Sequence, residues 1–180
     1  MSSTSRSVAD LSPAQSSPKR DYTNLVAHLR PVGGVMQRMQ LFVDRVWDEF
    51  HTKGVSWVGF YTIDPQNPEQ MLLGPRRDKP ACSPIGLHGA CGRCLTSSRP
   101  LVVTDVAHLG AGYIACDPRD RSEVVLPCVI NQGSAWAVLD IDSHEVNAFD
   151  VHDAVMLSRL LSQMGLTAQM TSDAADVVVV

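Results

Sequence analysis

Helices near both ends of the chain, bracketing strands that return on themselves, predict an α+β fold: a mainly antiparallel sheet with the N- and C-terminal helices packed on one face. Three observations carry this. An apolar stripe at spacings of three and four runs through residues 35–51. Runs rich in β-branched and aromatic residues are followed by turn signals and a return. A second helical stripe follows Asp150. At 180 residues the chain suits one domain with a sizeable core and is short for two.

In order, residues 1–20 are rich in Ser, Pro and Ala and bury too little to offset their ordering entropy, so they are expected as a disordered tail. A single domain over 21–170 and a C-terminal tail over 171–180 complete the expected organisation. A short helix is predicted from Tyr22 to Leu29, ended by Pro31. Gly33-Gly34 then lead into a longer one from Val35 to His51, with Met36, Met39, Phe42, Val43, Val46 and Phe50 on one apolar face. Val55–Ile63 reads as a strand, DPQNPEQ as a turn and Met71–Leu73 as the returning strand. Gly74–Pro84 reads as loop, Gly89–Ser98 as a short helix, Leu101–Thr104 as a strand, and Asp105–Ser122 as a long loop. Glu123–Ile130 and Ala135–Ile141 flank NQGS, a hairpin signal, and Pro127 asks for an edge position or a bulge. Asp150 caps a helix running to about Met170, with Asp153 at the third helical position and Val151, Val155, Leu157, Leu160, Leu161 and Met164 as its buried stripe. The terminal VVVV has no assigned role.

Composition excludes several classes. A net charge of −4 with no Lys/Arg cluster speaks against a nucleic-acid surface. No stretch approaches 18 apolar residues, so no membrane span is expected. The N-terminus lacks the apolar run of a secretory signal. Five cysteines, an odd number, do not form the framework of a small secreted fold. Cytoplasmic thiols are expected, and there a cysteine cluster points to catalysis or metal.

Four of the five cysteines, Cys82, Cys91, Cys94 and Cys116, lie between Lys79 and Glu123. Cys128 sits in the apolar run VLPCVI and is explained by packing. The other four lie among Gly, Asp and Arg, and a thiol near a helix N-terminus has its thiolate stabilised by unpaired N–H groups. Cys91 and Cys94 form a C-x-x-C, which suits disulfide exchange or half of a zinc site. A four-thiol zinc site would need Cys82 and Cys116, which are 34 residues apart and form no second C-x-x-C. Asp117 and Glu123 flank the end of the long loop. Asp140 and Asp142 alternate on the last strand, so they share a face: either both meet water, or they raise each other's pKa in a cavity and bind a cationic amine. Trp57, Gly59 and Tyr61 also share a face, as core aromatics or as the walls of a hollow for a small ligand. His88 is a possible thiol partner or a solvated loop residue.

WVGFY (57–61), LGP (73–75), KPAC (79–82), ACG (90–92), VTDV (103–106), IACD (114–117), SE (122–123) and LDID (139–142) together resemble the free methionine-(R)-sulfoxide reductases. These are small single-domain proteins of the GAF fold, and the resemblance runs from about residue 22 to 168. It implies a central antiparallel sheet of about six strands, a cavity on its ligand side and a homodimer. It implies thiol-dependent reduction of free L-methionine (R)-sulfoxide, through a cysteine sulfenic acid and an intramolecular disulfide that thioredoxin reduces as external reductant. No cofactor or metal is implied. Cys116 matches the nucleophile, Cys82 the resolving thiol and Cys91 an accessory one. Trp57 and Tyr61 match the wall around the methyl sulfoxide, and Glu123, Asp140 and Asp142 the carboxylates that hold the amino group and sulfoxide oxygen. Three features depart from the family. Cys82 and Cys91 are nine apart, one residue closer than is usual. Ala111 and Tyr113 stand for its proline and histidine, and Cys94 is an additional thiol able to join the exchange. A GAF sensor that binds a small molecule or senses oxidants without turnover is the alternative.

Overall fold

The computed structural model describes residues 18–78, 81–110, 113, 115–130, 133–168, 171 and 173–180. The elements are α1 (Thr23–His28), α2 (Val35–Phe50), β1 (Trp57–Ile63), β2 (Gln70–Arg77), β3 (Ile85–Gly86), α3 (Ala90–Ser97), β4 (Leu101–Val103), β5 (Ser122–Val129), β6 (Ala135–Ser143), α4 (Val151–Gln163) and β7 (Val178–Val179). Short 3-10 turns cover Val106–Leu109 and Ala174–Asp176. The strands form one sheet in the order β3-β2-β1-β6-β5-β4-β7. All neighbours are antiparallel except β4 and β7.

Period-two alternation divides the strands between two apolar layers. Val58 and Phe60 of β1, Val124, Leu126 and Cys128 of β5, and Ala137, Leu139 and Ile141 of β6 pack with Met39, Phe42, Val43, Val46, Leu157, Leu160 and Leu161 of α2 and α4. The terminal helices thus cover one face, as expected. Met36, in the first turn of α2, lies outside that core and is 58% exposed. The opposite face carries Trp57, Tyr61, Val125 and Val138 against Ala90, Cys91, Cys94 and Leu95 of α3. Cys128, at 0% exposure on the helix-covered face, fills the packing role expected of it.

Several boundaries differ from the sequence reading. β2 continues through Gly74-Pro75 to Arg77, where a loop was expected. Its register with β1 slips there, Gly59 facing Arg76 and Tyr61 facing Leu73, so Pro75 sits in a bulge where no ladder N–H is needed. The edge strand β3 gave no sequence signal, being two residues long. Pro127 lies in an interior strand, yet β4 pairs only with residues 123–125, so β5 is locally an edge at Pro127, and its register with β6 shifts at Cys128/Val129. The Asn131-Gln132 pair of the hairpin signal lies outside the described residues; Ile130 N–H donates to the Ser134 carbonyl at 3.1 Å across that turn.

α4 begins with the expected reciprocal cap: Asp153 N–H donates to Asp150 Oδ1 and Asp150 N–H to Asp153 Oδ2, each at 3.0 Å. It ends at Gln163, short of the expected Met170, which lies outside the described residues. Gly165 adopts φ +61° and Leu166 N–H reaches back to the Leu161 carbonyl at 2.9 Å, a glycine stop that satisfies the last carbonyls. The terminal valines, expected in a tail, add a seventh strand: Val180 N–H donates to Val102 O at 2.9 Å, against the edge of β4. At the other end, most of the expected N-terminal tail (1–17) lies outside the described residues. Arg20, its last residue, is buried, pairs with Asp153 at 3.1 Å and lies over the Phe149 ring. No helix among the described residues is long and apolar enough to cross a membrane.

Candidate active site

On the face that α3 only partly covers, strand register brings the predicted carboxylates together. Asp142 of β6 stands between Trp57 of β1 and Glu123 of β5, and Asp140 between Gly59 and Val125. One carboxylate oxygen each from Glu123, Asp140 and Asp142 lies within 4.8 Å of the others. Glu123 and Asp140 are buried, and Glu123 Oε1 and Asp140 Oδ1 have no hydrogen-bond partner among the described residues. These residues line a cavity of about 360 Å³, together with Trp57, Tyr61, Cys82, Cys91, Tyr113 and Cys116. Of the two readings of Asp140 and Asp142, the structure therefore favours the cavity.

Electrostatics follow from crowding acids away from water. Burial pushes the Asp140 carboxyl up to about 7. Burial, then the charge of Asp140, raises Glu123 well above the carboxylate range, and the same causes with Glu123 added raise Asp142. Such a cluster is short of positive charge, and protons or an ammonium group satisfy it.

The thiols divide into two sets. Cys82 and Cys116, 34 residues apart, are joined in a disulfide with Cα atoms 5.5 Å apart at the cavity wall. Tyr61 Oη donates to the Cys82 carbonyl at 3.1 Å and Leu73 N–H to Ser83 Oγ at 3.1 Å, so β1 and β2 hold the Cys82 loop over the site. Lys79, Pro80 and Ile114, from the KPAC and IACD motifs, and Ala111 lie outside the described residues. Cys91 is free and buried at the start of α3, its S–H donating to Asp140 Oδ2 at 3.2 Å. The helix terminus favours its thiolate, but burial and then the Asp140 charge push the thiol well up. Cys94 is wholly buried beneath the sheet, its Sγ 3.5 Å from the Val125 carbonyl and away from the cavity lining. Packing thus explains Cys94. Cys82 and Cys116 are joined to each other and Cys94 is packed in the core, so this arrangement does not present four free thiolates to a zinc ion.

Of the two readings of Trp57, Gly59 and Tyr61, no hollow opens at Gly59 itself. The Trp57 indole folds over it: a Cβ on Gly59 would lie 2.4 Å from Trp57 Cη2. The two rings stand 6.0 Å apart and line the cavity as one wall. Gly92 is needed for a different reason, because a Cβ there would lie 2.1 Å from the Leu87 carbonyl oxygen.

Sequence reasoning missed a second cluster at the cavity mouth. Asp120 is buried, accepts from Ser56 Oγ at 3.3 Å and is pushed by burial up to about 6. His144 Nε2 lies 3.6 Å from Asp120 Oδ1 and 3.7 Å from Asp117 Oδ2. Arg119 grips Asp117 through Nε at 2.9 Å and holds that carboxyl well below its usual range. Tyr113, where the family carries histidine, lines the cavity near Glu123, its phenol raised chiefly by burial. His88 also lines the cavity on an exposed loop. The period-two continuation Asp140, Asp142, His144 was the signal available for His144; Asp120 offered none.

An α+β sheet with helices on one face and a ligand cavity on the other is the architecture of a GAF domain. Residues 37–167 match that domain, and the chain belongs to the GAF domain family. GAF domain-containing protein A of Dictyostelium discoideum is 39% identical over 106 residues, covering 58% of this chain and 65% of that protein. The free methionine-R-sulfoxide reductase of Saccharomyces cerevisiae is 33% identical over 118 residues, covering 64% of this chain and 65% of that one. The matched stretch therefore spans just under two thirds of these two relatives. Among solved structures, the free methionine-R-sulfoxide reductase of Neisseria meningitidis, in complex with its substrate, superposes with a TM-score of 0.66 at 29% identity, over 78% of this chain and 80% of that one. The resemblance carried by the motifs holds in sequence and in structure.

Proposed function

We propose that this protein reduces free L-methionine (R)-sulfoxide to L-methionine with its own thiols. The observation that carries the reading is the Cys82–Cys116 pair standing at a cavity floored by Glu123, Asp140 and Asp142. In the reduced enzyme the Cys116 thiolate attacks the sulfoxide sulfur while a protonated floor carboxyl donates to the departing oxygen. The substrate S–O bond breaks, the protonated oxygen ends on the Cys116 sulfur as a sulfenic acid, and methionine leaves with the electron pair that was the thiolate's. The Cys82 thiol then attacks that sulfur, releasing water and forming the disulfide; the two electrons given to substrate come from the thiol pair. Thioredoxin, the external reductant of this reading, restores both thiols by exchange, which suits a reducing, cytoplasmic setting; a homodimer belongs to the reading by family resemblance alone. The raised carboxyls support the proton-donor role, since an ordinary aspartate carries no proton at neutral pH. Floor carboxylates would hold the α-ammonium and so prefer a free amino acid to a peptide-bound residue, whose amide nitrogen has no charge. Trp57 and Tyr61 would pack the methyl sulfoxide.

The test is NADPH consumption with thioredoxin, thioredoxin reductase and the (R) or (S) epimer of free L-methionine sulfoxide. Turnover confined to the (R) epimer, abolished by Cys116→Ser, is expected. No turnover of either epimer by a folded, reduced protein would reject the reductase and leave a ligand-binding GAF domain.

A further inference from the structure

A free amino acid carries a carboxylate as well as an ammonium, and a floor of three acids repels that second charge. We propose that His144, at the cavity mouth, is a specificity-determining residue that takes the α-carboxylate of the amino-acid substrate. The proposal rests on the reductase reading above and names the second half of its substrate recognition.

Position comes first. Asp140 and Asp142 share the cavity face of β6, and His144 continues that alternation one residue past the strand's end at Ser143. Within β6 two steps advance about 7 Å, and His144, just past the strand's end, lines the same cavity, so an imidazole stands beyond the acids of the floor. A bound zwitterion lies with its ammonium inward and its carboxylate outward.

Availability comes second. His144 Nε2, at 3.6 and 3.7 Å from Asp120 and Asp117, is flanked by both yet beyond hydrogen-bond distance of either. Its side chain is 41% exposed, so a ligand reaches it. Asp117 is already held by Arg119 Nε, at 2.9 Å from Oδ1 and 3.1 Å from Oδ2, and Asp120 accepts from Ser56. Both flanking acids thus have hydrogen-bond donors of their own. Arg119 and His88 also line the cavity, but Arg119 is committed to Asp117, and His88 sits on the loop between β3 and α3.

The experiment compares free L-methionine (R)-sulfoxide with its α-amide, which keeps the ammonium and loses the carboxylate charge. Wild type, His144→Ala, His144→Gln, Arg119→Gln and His88→Gln are assayed for kcat and KM, with thermal unfolding as the folding control. His144→Ala is expected to raise KM for the free acid roughly 10- to 100-fold, as for one hydrogen bond to a charged group, with kcat and the amide's KM little changed. His144→Gln, which keeps an N–H donor, should recover part of the loss. An unchanged KM for the acid, equal losses for acid and amide, or a selective loss only in Arg119→Gln or His88→Gln would overturn the proposal. Wild type inactive on both compounds rejects the reductase reading instead. In that case calorimetry with L-methionine and L-methioninamide decides: selective loss of L-methionine binding in His144→Ala upholds the carboxylate role, and any other result, including no binding by wild type, rejects it.

Discussion

Replacing Asp140 by Asn should make the protein more stable at alkaline pH while weakening substrate binding. Asp140 is 7% exposed, one oxygen accepts from Cys91 and the other has no partner among the described residues. Burial pushes its carboxyl from 3.8 up to about 7. Below pH 4 the folded and unfolded chains both hold the proton. Between about pH 4 and 7 the unfolded chain releases it and the folded chain keeps it, so wild-type stability falls as pH rises. At 1.36 kcal/mol per pH unit the full penalty above pH 7 is about 4 kcal/mol. Water at the cavity mouth screens the charge, and about 2 kcal/mol is the expected net. Asparagine keeps the shape, still accepts from Cys91 and carries no charge to bury. Thermal unfolding at pH 4, 6 and 8 should give a variant about 4–8 °C more stable than wild type at pH 8, the gain shrinking towards zero at pH 4. KM for the amino-acid substrate should rise at the same time. Equal or lower stability at pH 8, or a difference independent of pH, would refute a buried, proton-holding acid at this position.

Other changes test the scaffold. Gly59→Ala places a methyl 2.4 Å from Trp57 Cη2 and 2.9 Å from Arg76 Cβ, which costs about 1–3 kcal/mol and turns the indole off the cavity. Denaturant titration should show the loss and kinetics a raised KM; wild-type values in both would mean the ring does not lie over Gly59. Asp153→Ala strands Arg20 in the core, removes the acceptor for Tyr22 Oη at 2.8 Å and breaks the α4 cap, and should destabilise by about 3–5 kcal/mol; a loss below about 1 kcal/mol in urea unfolding would show that the N-terminal segment is not anchored there. Cys128→Ala, in the core away from the cavity, should lower stability by about 1 kcal/mol and leave single-turnover methionine release intact; lost release would bring that thiol into the chemistry.

The sequence by itself determined what short windows of chain encode. The stripe of α2, the reciprocal Asp150–Asp153 cap and the hairpin flanking NQGS are local, and period-two alternation put Asp140 and Asp142 on one face. The motif set around Cys82, Cys116 and Glu123 likewise pointed to the family. Local signals failed where long-range pairing decides. Nothing near Gly74-Pro75 says that β1 will extend β2 through a bulge, or near Val178 that β4 has an open edge. The glycine between two aromatics is the same in sequence whether the gap stays open or an indole fills it; packing filled it. The C-x-x-C is likewise silent about burial, and the sheet turned Cys94 into the core and bound Cys91 to an acid. The resemblance implied the Cys82–Cys116 partnership and the Glu123, Asp140 and Asp142 set. Only the tertiary structure showed how Glu123 comes beside Asp142 and Cys116 beside Cys82, and that Asp120 and His144 line the same cavity. Those meetings depend on strand register and loop closure between distant segments, which no local pattern of side chains specifies.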